Sequence, residues 1–143
     1  MTVPVWMLLG FAIWTIVLLM ATIGVYRWGM ILMRGASMSS FRADKVEGPA
    51  WYARAMRAHA NCIENLPVFA VVVFALHVSG TSGALVDALA VAVLVTRVLQ
   101  SSIHVVFEQT SPIVSIRFTL FTAQVASFLW LAGIVIAGQL HGG

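Results

Sequence analysis

Arg57, Asn61 and Glu64 follow one another at i, i+4 and i+7. On an α-helix of 3.6 residues per turn that spacing holds all three within about 60° of one another. Arg57 and Glu64 are then about 10 Å apart along the axis, too far for a direct ion pair and well separated for gripping the two ends of a ligand. A molecule carrying both carboxylate and ammonium groups satisfies such a wall, with Asn61 offering donor and acceptor between them. Interhelical packing by polar side chains explains the same stripe, and spacing alone leaves both readings open.

A second stripe repeats the pattern, with Arg97, then Gln100 or Ser101, then His104. Arg97 is the charge with the most apolar surroundings and needs a partner, for which Glu64 on a neighbouring antiparallel helix is the expected candidate. Arg117 opens a third set, followed by Gln124 and Ser127 on related faces; an arginine at such a boundary also reads as one that snorkels to the lipid headgroups. His59 and His104 invite a bis-histidine haem reading. His59, however, stands about 200° around the helix from Asn61 and points away from the Arg57 stripe, so hydrogen-bonded histidines are expected and no metal site is read. Cys62 is the only cysteine, which excludes an intramolecular disulfide and a dithiol relay within one chain, and it is expected to act as a small buried hydrophobe.

The elements that must position these stripes are set by hydrophobicity. Of the 143 residues only 9% are charged and 61% are hydrophobic, against roughly 25% and 45–50% in a soluble domain. Runs of about 20 apolar residues cross a bilayer core, and four are read: 3–26, 58–78, 84–107 and 117–138. The expected fold is thus all-α, a four-helix transmembrane bundle forming a single domain over 1–143. The first run is followed, not preceded, by its charge, Arg27, so it is expected to be a retained helix and not a leader. Ser79–Gly83 is a tight turn suited to an antiparallel hairpin, and Pro67 is expected to bend the second span just above Glu64.

The connection from Arg27 to Arg57 carries six of the eight Lys and Arg residues. The positive-inside rule puts it in the cytoplasm with both termini on the opposite side. The net charge of +3 then reflects topology, and nucleic-acid binding is not implied.

The stretch Arg57-Ala-His-Ala-Asn61-Cys-Ile-Glu64-Asn-Leu-Pro67-Val-Phe69 resembles the MAPEG superfamily, the membrane-associated proteins in eicosanoid and glutathione metabolism. The likeness is carried by R-A-x-x-N-x-x-E followed by Pro and an apolar run. Four spans, a basic first connection and arginines in spans three and four agree with it. The resemblance implies a homotrimer in the lipid bilayer with glutathione between subunits and a hydrophobic small molecule as second substrate. Carried over by position, Arg57, Asn61 and Glu64 resemble the span-two glutathione contacts, and Arg97 the span-three arginine. Arg117 is similar to the span-four arginine that stabilises the glutathione thiolate. Where other members carry tyrosines this chain has Asn65, Gln100 and His104, of which Gln100 and His104 are expected to donate hydrogen bonds instead.

The expected function is a glutathione-dependent membrane transferase or peroxidase acting on lipophilic electrophiles or hydroperoxides. The alternative is a non-catalytic scaffold or accessory subunit that binds lipid or a membrane protein partner in the same cleft. A proton-coupled exporter fits less well, because compact exporters usually place their carboxylate in the first span, which has no acid here.

Overall fold

The computed structural model describes residues 1–42 and 44–141; Gly142 and Gly143 of the tail lie outside it, as does Ala43 of the long connection. The described residues are helical with no strand. Helix α1 (Val3–Leu18) starts on Pro4, which costs nothing in a first turn because its missing N–H has no helical partner there. A π-helical turn over Leu19–Gly24 joins it to α2 (Val25–Arg34), so Val3–Arg34 is one rod of 32 residues. Gly35, at φ 63°, ends it, and the Ala36 N–H turns back to the Met30 carbonyl at 3.2 Å.

Helix α3 (Ala50–Val78) runs on through Pro67, α4 covers Ala84–Val106, and α5 covers Ser111–His141. Between α3 and α4 the Thr81 N–H bonds the Leu76 carbonyl at 3.1 Å and Gly80 takes φ 67°, a left-handed turn that glycine enters without strain. Thr2 and Pro4 stand beside His77 and Gly80, so the N-terminus and this turn share one end of the bundle.

Three rods extend past the spans read from hydropathy. The first continues to Arg34 instead of stopping at Tyr26, α3 begins at Ala50 instead of Ala58, and α5 at Ser111 instead of Arg117. Hydropathy marks where lipid requires apolar side chains. The backbone ladder continues wherever caps allow, with charged side chains reaching the headgroup layer.

Helix α4 packs against α1, α3 and α5. Phe69 lies between Phe11 and Phe128, with ring centroids 6.0 and 5.8 Å away, and Val93, Ala90, Cys62 and Leu131 complete the buried core. Small residues bring α1 and α4 together: a Cβ on Gly10 would meet Leu94 Cδ2 at 2.9 Å.

The outer faces are apolar, with Leu129, Val71, Phe74 and Ile16 all exposed. Polar side chains on the outside of α5 are satisfied locally. Ser115, Thr119 and Thr122 each donate to the carbonyl four residues back, at 3.0, 2.9 and 2.9 Å, so their hydroxyls enter hydrocarbon already paired. Four helices are long and apolar enough to cross a bilayer, and the chain is an integral multi-pass membrane protein.

Candidate functional site

Arg97 is 1% exposed at the centre of the bundle. Its Nη2 donates a short hydrogen bond to Gln124 Oε1 on α5, and its guanidinium carbon lies 5.6 Å from the centre of the Phe11 ring. Cys62, Thr15 and Ser101 surround the same point. Ser101 Oγ accepts from Trp14 Nε1 and donates to the Arg97 carbonyl, at 2.8 and 2.7 Å, so α1, α4 and α5 are tied through one polar node.

The expected Arg97–Glu64 ion pair does not form. Glu64 is exposed on α3, and the ion pairs among the described residues are Arg42–Asp44 and Lys45–Glu47 in the connection. A neutral amide replaces the carboxylate as Arg97's partner because α4 packs closely on α5, where Gln124 is completely buried.

Beside this node a cleft of about 310 Å³ opens between α3, α4 and α5. Asn61, Glu64 and Asn65 line it from α3, Gln100 from α4, and Gln109 from the α4–α5 connection. Val114, Arg117, Phe118 and Phe121 form the α5 wall. One side is therefore a row of carboxamides with a carboxylate, and the other an apolar strip interrupted by a guanidinium. Gln100 Nε2 donates to the Arg117 carbonyl at 3.2 Å, which fixes the arginine's backbone against α4. Among the described residues Gln100 Oε1 and Arg117 Nε at the cleft, and Arg97 Nε and Gln124 Nε2 behind it, are buried without hydrogen-bond partners. Such orphaned groups cost free energy until something bonds them.

Four of the seven residues singled out in the sequence thus meet in one cleft: Asn61, Glu64, Gln100 and Arg117. The other three do not line it. Arg57 is exposed and lines a groove on the adjoining face of α3 with Asp44, Val46 and Met56. Arg97 is bound to Gln124 behind the cleft. His104 is buried among Arg54, Arg57 and Arg117; Arg54 Nε caps the end of α4 by donating to the Val105 carbonyl at 3.2 Å.

The sequence reading missed five lining residues as members of the site: Val114, Phe118 and Phe121 of the apolar wall, and two polar ones, Asn65 and Gln109. Asn65 is one turn beyond Asn61, whose carbonyl accepts its Nδ2 at 2.7 Å, leaving Asn65 Oδ1 for other partners. The i+4 spacing was the available signal. Gln109 lies outside every helix, where periodicity has no bearing.

Four apolar helices around a buried guanidinium, with an amphipathic cleft at one side, define a polytopic helical membrane protein with a ligand-sized site. The chain belongs to the MAPEG family, whose model matches residues 3–137. It is accordingly a membrane protein related to glutathione and eicosanoid metabolism. No curated protein and no solved structure matches it.

Proposed function

We propose that the chain is a glutathione-dependent transferase or peroxidase acting on lipophilic electrophiles or hydroperoxides. The observation that carries this reading is the two-sided cleft. Glu64, Asn61 and Gln100 face Arg117 across it, while Phe118 and Phe121 give the same cavity an apolar wall. Its volume of about 310 Å³ is at the lower end of the roughly 300–1,000 Å³ of small-molecule sites.

The residues fit glutathione by chemistry. Glu64 offers a carboxylate to the ammonium group, the carboxamides pair with peptide amides, and Arg117 supplies a cation for the thiolate. A thiol of pKa about 8.5 is only a few per cent ionised at neutral pH, and the thiolate is the nucleophile. Lowering that pKa by two units takes about 2.7 kcal/mol of preferential stabilisation, within reach of a charge-assisted hydrogen bond in a poorly hydrated cleft. The thiolate then attacks the electrophilic atom of a lipophile lying along Phe118 and Phe121. Its leaving group departs with the electron pair, or sulfur bonds the terminal peroxide oxygen as the O–O bond breaks, giving a sulfenic acid and an alkoxide that takes up a proton, after which a second glutathione converts the sulfenic acid to the disulfide and water.

We infer a homotrimer as well. Glu64 is exposed in the single chain about 20 Å along α3 from Trp51, at a depth where an uncovered carboxylate is costly. A second copy against α3 covers it and brings the Arg57 groove to an interface. The connection between α2 and α3 faces the cytoplasm, by its excess of Lys and Arg.

A non-catalytic accessory subunit is the second reading. It is favoured by the lining itself, in which no tyrosine takes part and carboxamides stand instead. Calorimetry with glutathione and the ultraviolet absorbance of its thiolate separate the two. Saturable binding with a thiolate band supports the enzyme; neither signal, with a stoichiometric co-purifying membrane protein, establishes the accessory role and rejects the first.

A further inference from the structure

A larger groove lies away from this cleft. It holds about 540 Å³ and is lined by Val25, Tyr26, Gly29, Met30, Met33 and Arg34 of the first rod, with Pro49 opposite.

Its depth in the bilayer follows from two tryptophans. Trp6 and Trp28 are about half exposed on that rod, and 22 residues of helix separate them by about 33 Å. That is close to the roughly 30 Å of hydrocarbon between the indole belts of a membrane protein. Tyr26, Trp51 and Tyr52 cluster at the Trp28 level, with ring centroids 5.6 and 4.2 Å from Tyr26. The groove therefore begins in hydrocarbon at Val25 and ends at Arg34, about 9 Å beyond Trp28 and within the headgroup layer.

Its lining suits an acyl chain below and a headgroup above. Gly29 leaves a trough, since a Cβ there would meet nothing within 4 Å, and Met30 and Met33 offer flexible apolar walls. Met33 is 86% exposed, so the chain itself leaves this wall for something else to cover. The charge selects what does. Arg42 and Lys45 are taken by Asp44 and Glu47, Arg27 keeps its charge but donates to the Tyr52 hydroxyl at 2.9 Å outside the lining, and Arg34, the cation that lines the groove, pairs with no acid among the described residues.

We propose that this groove binds one anionic phospholipid per chain, with Arg34 on its phosphate, Gly29, Met30 and Met33 along its glycerol and ester region, and Val25 at the top of its acyl chain. The site is independent of the glutathione reading.

The test uses purified protein in detergent with equal amounts of phosphatidylglycerol and phosphatidylcholine of matched chains, read by native mass spectrometry. Phosphatidylglycerol is retained about fivefold over phosphatidylcholine, the factor one arginine near the headgroups supplies. Arg34→Gln brings the two to parity. Gly29→Leu puts a side chain into the trough, its Cβ meeting no protein atom within 4 Å, and reduces retention of phosphatidylglycerol with every charge in place. Melting of both variants in detergent alone verifies their fold. Equal retention by the wild type overturns the proposal, as does a preference that survives both substitutions. So does a change in the number of chains per particle in Gly29→Leu, which assigns the groove to a second copy.

Discussion

Arg117 and Arg97 carry the same charge and differ in what surrounds them. Arg117 lines the cleft, so its expected loss is chemical, although the Nε of each arginine is buried without a partner among the described residues. Arg117→Ala removes the thiolate band on adding glutathione and keeps most of the binding heat, with the thiolate-to-thiol ratio falling roughly 100-fold if two pKa units are lost. Arg97 is held by Gln124 in the interior, so its expected effect is structural. Gln124→Leu strands the guanidinium and costs about 1.5–3 kcal/mol in detergent unfolding, while Arg97→Met with Gln124→Leu recovers most of that loss. The sequence made Arg97 legible as a charge that needs a partner, but not which partner, and left Arg117 open between snorkelling and a place in the site. Glu64 has the right sign for Arg97, yet helix rotation turns it outward, and no pattern within one helix reports the rotation of its neighbour.

The helices as elements were legible from hydropathy, and their ends were not. Arg27, Trp51 and Pro112 lie where composition turns polar, but the backbone bonds there need no lipid to form. The π-helical turn over Leu19–Gly24 left no trace either, because the apolar run is uniform through it. The approach of α1 to α4 gives a testable contact: Gly10→Val presses on Leu94 and is expected to cost about 1–3 kcal/mol in unfolding, against less for Gly10→Ala. The connection before α3 behaves oppositely. Arg42 Nε and Nη2 donate to the Asp44 carboxylate at 3.0 and 2.5 Å, and this guanidinium holds the carboxyl below its usual range. A lowered folded pKa stabilises above the unfolded value of about 3.9 and fades as pH falls through the folded one. Both groups are exposed, so Asp44→Asn leaves the unfolding midpoint at pH 7 unchanged.

At the scale of the whole molecule, one chain displays more than it can use alone. Glu64, Arg57 and Phe118 are exposed beside grooves on neighbouring faces of the bundle. Light scattering corrected for detergent is expected to give three chains per particle, and a monomer active with glutathione overturns that expectation. The polar stripes hinted at a shared site because each reaches the same end of the bundle, while the family likeness supplied the number of copies. The spacing of Trp6 and Trp28 has a consequence of another kind. It makes the first rod a ruler for its host membrane, matched to a hydrocarbon layer near 33 Å and forced to tilt in a thinner one. Melting temperature across phosphatidylcholines of graded chain length is then expected to peak at the matching thickness. In a cell with membranes of unequal thickness, the same ruler biases where the protein accumulates.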